Sequence, residues 1–221
     1  ANNKNKDSLI KSYTQTTVRG ILSNLKKYPP TIQDLYLHTT EQLQMSYTKD
    51  GASYKPWTKK IYFSVKKTNN DERGAYGTIF HEWGHLIDNQ FGDNIITRER
   101  KDEMHKILKK DVDARIDYKM KEARKLVKRE LQDAPDAIAG VSDIYGGLTG
   151  NQIMGLWGHK KSYWTRQDTK AEVCSEAWAD ILQSYGVDKQ REYVSTYLPG
   201  GKAFVEKTIE ELIEKLKKGE I

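Results

Sequence analysis

Two histidines and a glutamate lie close together in the segment HEWGH, which occupies residues 81–85. On an α-helix, residues four apart project from the same face about one turn apart. His81 and His85 can therefore direct imidazole nitrogens at one ion, at about the 2.0–2.1 Å that zinc prefers. Glu82 lies one position round the helix, where its carboxylate can take a proton from a water molecule that the metal activates. Asp88, three residues past His85, is placed to orient a ligand imidazole.

A hydrolytic zinc site needs a third protein ligand, and carboxylates recur later in the chain at helical spacing. Glu172, Glu176 and Asp180 are four residues apart within AEVCSEAWADILQ, residues 171–183, so all three share one face of a predicted helix. Stacked carboxylates repel one another unless a cation neutralises them. A solvated acidic face would explain the spacing alone. Here apolar residues alternate with the carboxylates, which indicates a largely buried helix, and buried carboxylates need a partner.

The order of these motifs resembles the gluzincin group of zinc metallopeptidases, in which HExxH precedes a glutamate on a later helix. It is similar to the anthrax lethal factor family of peptidases, and also to the zincin-like domains of phage minor head (head morphogenesis) proteins. The matching segments here are TIFHEWGHLID, SDIYGGLTGNQIMGLWGHKKSYW and SEAWAD, within about residues 75–200. HExGHxxD is specific to zincins, whereas the aromatic segment is only suggestive.

The resemblance implies a zinc site with His81, His85 and Glu176 as its ligands. Glu176 is favoured because tryptophan, alanine and aspartate follow it, as in the E-x-x-x-D segment of the gluzincins, and Glu172 is the alternative. Asp180 would then lie behind the ligands and support them. Several transition metals suit two imidazoles and one carboxylate, and zinc is the metal that we predict.

The same resemblance implies a side chain that stabilises the oxyanion. Tyr163 is the nearest candidate, although it lies 13 residues before Glu176, farther than the lethal factor family leads us to expect. Ordinary aromatic packing would explain Tyr163 equally well, and Tyr145 and His159 are alternative donors. In zincins an edge strand beside the active-site helix pairs with an extended substrate, and the run KKIYFSV (59–65) is compatible with that role.

The apolar pattern predicts a single α+β domain over residues 1–221, and the resemblance implies a zincin-like metalloprotease fold. A small antiparallel or mixed sheet is predicted near the N terminus, from strands in DLYLHTT (34–40), EQLQMSYT (41–48) and KKIYFSV (59–65). Helices are predicted at 7–27, at 75–89 (carrying HEWGH), at 170–184, at 187–197 and at 201–218. Pro29 and Pro30 are predicted to end the first helix. A charged helical insertion is predicted at 98–131, with one apolar stripe formed by Met104, Leu108, Val112, Ile116, Met120, Val127 and Leu131. DAPDAIAG (133–140) is predicted to break it, and the Gly-rich stretch 146–164 is predicted to be mainly loop.

The net charge of +6 is unevenly distributed. Residues 98–129 contain 13 Lys and Arg against 7 Asp and Glu, whereas the remaining chain balances at 24 against 24. The protein is therefore not uniformly basic. A solvated surface helix explains this segment better than contact with nucleic acid, because acids are interspersed and aromatic residues are few.

Two functions are compatible with the sequence. The first is zinc-dependent hydrolysis of peptide bonds in a peptide or protein substrate. The second is a structural or assembly role in a phage or prophage particle, with capsid components as partners and a retained zincin fold. No apolar run approaches the roughly 20 residues of a membrane span. A single cysteine, Cys174, permits a reducing compartment; a cytoplasmic or virion-associated location is favoured, and a secreted one stays open.

Overall fold

The structure of the chain, a computed structural model, describes residues 15–41, 44–49, 51–69, 71, 74–91, 93–117, 119–133, 135–166 and 168–221. The strands are β1 (Gln44–Tyr47), β2 (Ala52–Lys55) and β3 (Lys60–Phe63). The helices are α1 (Gln15–Leu25), α2 (Pro30–His38), α3 (Val65–Asn69), α4 (Gly77–Leu86), α5 (Lys101–Arg115), α6 (Lys121–Asp133), α7 (Pro135–Thr149), α8 (Lys161–Trp164), α9 (Thr169–Ser184), α10 (Asp188–Tyr197) and α11 (Pro199–Lys218). Two π-helical turns, Ile87–Phe91 and Ile95–Glu99, continue from α4. Residues 7–14 of the helix predicted at 7–27 lie outside the described residues.

The sheet is small and mixed, which confirms the predicted α+β class. β3 lies between β1, which is parallel to it, and β2, which is antiparallel. The prediction that KKIYFSV supplies the edge strand beside the active-site helix is therefore wrong, because β3 is central and its Ile61 and Phe63 are buried. The edge strand that contacts α4 is β2. The sequence analysis assigned no strand to ASYK (52–55), a run of only four residues, all of which are half-buried in the structure.

The run DLYLHTT, predicted as a strand, instead forms most of helix α2 and the residues just after it. The proline pair expected to end a helix begins this one, since Pro30 lies in the first turn, where its missing N–H is not needed. Ile32, Leu35 and Tyr36 then fall on one buried face at helical spacing. A short apolar run fits either period, and packing against the core selects the helix.

The charged insertion consists of two helices, α5 and α6, where the sequence analysis expected one apolar stripe. They are separated at Ile116, whose backbone is extended. Met120 follows this break and is 59% exposed, contrary to its predicted place on the stripe. The remaining stripe residues are buried as predicted: Met104, Leu108, Val112, Ile116, Val127 and Leu131.

Helix α7 contains residues 135–140 of DAPDAIAG, which was predicted as a break, and GGLT (146–149), which was predicted as loop. Proline occupies its first position, where it is tolerated. Its glycines serve close packing instead of ending the helix. A Cβ at Gly147 would lie 2.7 Å from Val173 of α9, and one at Gly140 would lie 2.9 Å from the Asp180 side chain. Helix α7 therefore packs tightly against α9.

Helix α9 is the central element of the fold and contacts α4, α5, α7, α10 and α11. The Asp168 carboxylate caps it by accepting hydrogen bonds from the N–H groups of Lys170 and Ala171. The Trp178 indole N–H donates to the Gly84 carbonyl oxygen (3.0 Å), which ties α9 to α4. Helices α9, α10 and α11 begin and end within two residues of the predicted bounds.

Gly84 sets the distance between α4 and α9. A Cβ there would lie 3.0 Å from the Ala179 Cα, a backbone atom that cannot rotate away. We therefore expect Gly84→Ala to lower the free energy of unfolding by about 1–3 kcal/mol, the usual cost of overpacking, as measured by chemical denaturation of the metal-free protein. Gly77→Ala is the matched control, because its Cβ meets only the flexible end of Gln183 at 3.1 Å. An equal loss in both variants would contradict this explanation.

Candidate metal centre

Helix α4 presents His81 and His85 next to each other on the face that lines a large cleft. Their Nε2 atoms are 3.2 Å apart, and their ring planes are nearly perpendicular. The first turn of the helix is held by Asp71, whose carboxylate accepts a hydrogen bond from the Thr78 N–H (3.2 Å). The spacing of HEWGH thus brings both imidazoles to one place, as predicted from helical periodicity.

Glu176 of α9 completes a group of three. Its Oε2 lies 3.2 Å from His81 Nε2 and 3.8 Å from His85 Nε2. Three ligands that each lie 2.0–2.1 Å from an ion at tetrahedral angles are about 3.3–3.4 Å apart. The three atoms therefore have nearly the spacing that one small cation requires, and this cluster can hold a metal ion.

The protonation of this cluster also fits a cation. Burial by itself raises the pKa of Glu176, but the nearby charges of His85 and His81 outweigh it, so the pKa lies far below its ordinary value. The carboxylate is therefore ionised, yet its buried Oε2 accepts no hydrogen bond among the described residues. A buried carboxylate oxygen without a donor is costly, and a cation between it and the two imidazoles removes that cost.

Glu172, the alternative third ligand, lines the same cleft but is not grouped with the two histidines. Its carboxylate is 3.4 Å from the Arg166 guanidinium and belongs to none of the groups able to hold an ion among the described residues. The imidazoles are oriented from behind by two residues of α9: Asp180 Oδ1 lies 2.9 Å from His81 Nδ1, and Ser175 Oγ lies 3.0 Å from His85 Nδ1. Asp180 thus has the supporting place proposed for it from the sequence.

Asp88, expected to orient an imidazole, has other partners. Its buried carboxylate accepts hydrogen bonds from the Ile96 N–H (2.8 Å) and the Thr97 hydroxyl (3.2 Å), which fixes the π-helical turns after α4. The place beside His85 that was expected for Asp88 is occupied by Ser175. No sequence pattern singles out this serine, since it becomes a partner only when α9 packs against α4.

Asp180 should matter to the metal through His81 alone. We expect Asp180→Ala to weaken zinc binding by about 10–100-fold, the usual effect of removing a carboxylate behind a ligand imidazole, measured by competition with a chromogenic chelator. Asp180→Asn keeps one acceptor oxygen and should lose less. If Asp180→Ala bound zinc as tightly as the wild type, the contact with His81 would have no role in metal binding.

Glu82 lines the same cleft and contacts the sheet edge. The Tyr54 backbone N–H of β2 donates to Glu82 Oε2, with an N–O distance of 2.5 Å. In the antiparallel β2–β3 pair, the Ser64 N–H donates to the Gly51 carbonyl, so residues 51, 53 and 55 bond to β3. The N–H and C=O groups of Ala52 and Tyr54 therefore face away from the sheet, towards the cleft.

A second polar group flanks Glu176. The Tyr163 hydroxyl donates a short hydrogen bond to Glu176 Oε1, and the Tyr163 ring stacks on the His159 imidazole with centroids 3.8 Å apart. His159 Nδ1 lies 2.6 Å from Oδ2 of Asp143, a buried residue of α7. Burial raises the pKa of the Tyr163 hydroxyl and the Glu176 carboxylate raises it further, so Tyr163 remains a hydrogen-bond donor.

Asp143, His159 and Glu176 form a further group with the spacing of metal ligands. In this group Asp143 and His159 are already paired with each other, and Glu176 Oε1 already accepts a hydrogen bond from Tyr163. The orphaned oxygen is Oε2, which faces the histidine pair of α4. The first group is therefore the better cation site.

Sequence reasoning missed Asp143 because no helix was assigned to residues 141–145, between the predicted break and the predicted loop. Tyr145, the other tyrosine considered as an oxyanion donor, is fully buried and donates to the Tyr197 carbonyl (3.4 Å), away from the cleft. Recognition of helix α7 would have placed Asp143 and Tyr145 two residues apart, hence on different faces.

The cleft has a volume of about 1440 Å³ and is open to solvent. Its walls come from β2, α4, α9 and the loop after α7, with His81, His85, Glu82 and Glu176 among the lining residues. Pockets for small molecules usually enclose about 300–1,000 Å³. The cleft is therefore large enough for a segment of polymer.

Comparison of the chain with models of protein families, with characterised proteins and with solved structures finds no match. Among the described residues, no helix combines the length and apolar character needed to cross a membrane.

Proposed function

We propose that this protein is a zinc metalloendopeptidase of the HExxH-plus-glutamate type, with a zincin-like fold. The observation that carries the proposal is the convergence of His81, His85 and the ionised, unpartnered Oε2 of Glu176 in one cleft with Glu82. Two imidazoles and one carboxylate suit zinc and leave a position open for substrate or water. When bound, the zinc would polarise the scissile carbonyl and lower the pKa of a water molecule.

Glu82 is proposed as the general base and then the general acid. Glu82 directly follows His81 in the sequence, so its carboxylate lies near the metal ligands but points in a different direction around the helix axis. Its Oε2 is held by the Tyr54 N–H, which restricts the carboxylate to the cleft side of α4. From there it can take a proton from the attacking water and pass it to the leaving amine. A purely structural zinc site would have no use for this carboxylate.

The oxyanion is proposed to be stabilised from the α8 side of the cleft. Tyr163 stays protonated and is held beside Glu176. His159 has Nδ1 engaged by Asp143, so Nε2 is its remaining donor. Burial lowers the pKa of His159, but the hydrogen bond and charge of Asp143 outweigh it and raise the pKa above its ordinary value, which favours a protonated donor. Both residues can thus donate to a developing negative charge.

The substrate is proposed to be an extended polypeptide that pairs with β2. Besides the Tyr54 N–H, which is donated to Glu82, this edge strand turns the N–H of Ala52 and the C=O groups of Ala52 and Tyr54 towards the cleft, as strand addition requires. The Glu82 contact to Tyr54 places the general base at the same edge. A peptide on β2 would therefore lie next to both the base and the metal ligands.

The proposal is tested by stripping the protein with a chelator, restoring one equivalent of zinc, and incubating it with a mixture of synthetic peptides. We expect internal cleavage, detected by mass spectrometry, that appears with zinc and disappears with chelator. Zinc binding at one equivalent without cleavage of any peptide would contradict the peptidase proposal, and failure to bind zinc would contradict the metal site as well.

A further inference from the structure

Two tryptophans are exposed at the rim of the cleft. Trp57 is 78% exposed and Trp157 is 48% exposed, and both line the cleft that contains the metal ligands. The other three tryptophans of the chain, Trp83, Trp164 and Trp178, are almost fully buried. Large exposed aromatic side chains in a concave surface mark places where a ligand is bound.

The backbone that carries Trp57 is fixed. Trp57 lies in the tight turn between β2 and β3, where the Thr58 N–H and hydroxyl both donate to the Lys55 carbonyl (3.2 Å each). The Lys59 N–H donates to the Pro56 carbonyl (3.3 Å), and Lys59 adopts a left-handed backbone to close the turn. The Trp57 indole therefore projects from a hydrogen-bonded hairpin whose first strand is β2, the edge strand proposed to pair with the substrate.

The backbone of the loop that carries Trp157 is also fixed, by hydrogen bonds to α7 and within the loop. The Ser142 hydroxyl donates to the Trp157 carbonyl (2.6 Å) and accepts from the Gly155 N–H (2.7 Å). The carbonyl of His159, two residues after Trp157, accepts a hydrogen bond from the Asn151 side-chain amide (3.0 Å). The backbone is thus anchored on both sides of Trp157, while half of the side chain remains open to solvent.

We propose that Trp57 and Trp157 form two subsites for bulky apolar side chains of an extended peptide substrate. This inference rests on the proposed function and assigns its substrate class. Trp57 comes from the sheet side, three residues after Tyr54, and Trp157 comes from the α7 side, two residues before His159. A peptide paired with β2 directs every second side chain to the same face, so apolar residues in such a peptide can cover the indoles.

Apolar side chains are the preferred occupants for physical reasons. Contact with an indole removes apolar surface of both partners from water, which favours binding. An aromatic partner gains additional interaction energy from the packing of the two rings. Among the described residues, no Lys or Arg side chain forms a cation–π contact with either indole. The two indoles therefore offer aromatic surface that favours phenylalanine, tyrosine or leucine.

Binding is tested separately from catalysis in the Glu82→Gln variant loaded with zinc. Two tryptophan-free decapeptides of equal charge are compared, one with phenylalanine at alternate positions and one with serine there. Because the buried tryptophans are already shielded, the fraction of fluorescence quenched by acrylamide reports mainly on Trp57 and Trp157. We expect the phenylalanine peptide to reduce this fraction in a saturable manner and the serine peptide to leave it unchanged. Unchanged quenching with both peptides would overturn the inference.

Specificity is then tested in the active enzyme. We expect Trp57→Ala and Trp157→Ala each to lower the ratio of kcat/KM for the phenylalanine peptide to that for the serine peptide by about ten-fold or more. The matched control is Leu126→Ala. Leu126 is an apolar residue on α6 whose exposure lies between those of the two tryptophans, and it does not line the cleft, so this variant should keep the wild-type ratio. Zinc content is measured in each variant to show that the site is intact.

The possible outcomes separate the two proposals. If both peptides are cleaved and neither tryptophan variant changes the ratio, the proposed subsites are wrong but the peptidase proposal is supported. If no peptide is cleaved, the peptidase proposal fails, and the quenching result alone decides whether apolar peptides bind.

Discussion

Replacing Glu82 by glutamine is expected to lower kcat for peptide hydrolysis by about 10²- to 10⁴-fold, the usual contribution of general acid–base catalysis. Glutamine cannot take a proton but keeps an oxygen that can accept the Tyr54 N–H, so the geometry of the cleft should be preserved. Zinc content should also be unchanged, because Glu82 is not a ligand. The measurements are initial rates on a cleaved peptide and metal analysis of the purified variant.

Glu172→Gln is the matched control for Glu82→Gln. It removes the same charge from the wall of the same cleft, but from a residue whose carboxylate is paired with Arg166 and belongs to no group of potential metal ligands among the described residues. We expect its kcat to stay within a few-fold of the wild-type value. Full activity in Glu82→Gln at equal zinc content would exclude Glu82 as the base. Wild-type protein that binds zinc and cleaves nothing would instead favour the structural or assembly role.

Replacing Glu176 by glutamine is expected to have the largest effect on metal binding. Zinc affinity should fall by more than about 100-fold, because the loss of partners behind a ligand already costs about 10–100-fold. The variant should still fold, since the Tyr163 hydroxyl can donate to the amide oxygen as it does to Glu176 Oε1. The affinity is measured by titration against a competing chelator.

Thermal unfolding gives a second measure of the same site. A ligand at about 1,000 times its Kd stabilises the folded state by about 4 kcal/mol, which for a chain of this size raises Tm by roughly 10 °C. We expect that rise in the wild type and in Glu172→Gln, and its absence in Glu176→Gln. The reverse pattern for the two glutamates would make Glu172 the third ligand.

The parts of the site that the sequence analysis placed correctly share one property. His81 and His85 are related by a single helical turn, and Glu172, Glu176 and Asp180 by the same period in α9. Local periodicity fixes such relations before any tertiary contact forms. Which glutamate faces the histidines depends on how α9 rotates against α4, and that rotation follows from the Trp178 hydrogen bond to Gly84 and from the close approach of Ala179. The family pattern suggested Glu176, whereas the physical reason lies in that packing.

The errors arose where glycine or proline was interpreted as a break. In α2 a proline begins the helix, and in α7 the glycines make room for α9. Both readings treat local propensity as decisive, although tertiary packing determines the outcome. The missed helix α7 carried Asp143 with it, so the partner of His159 could not be found from the sequence. The missed strand β2 likewise hid the edge that contacts Glu82.

The contact between α4 and α9 joins segments that are 94 residues apart along the chain at Trp178 and Gly84. Contacts of such long range form late, because closing the intervening loop costs entropy before the contact is gained. We therefore expect the site formed by both helices to be absent from the unfolded chain and to form after the folding transition state. A metal bound there would slow the unfolding rate and leave the folding rate nearly unchanged. The centre that is proposed to break peptide bonds would thus also protect its own chain from transient opening and from self-digestion.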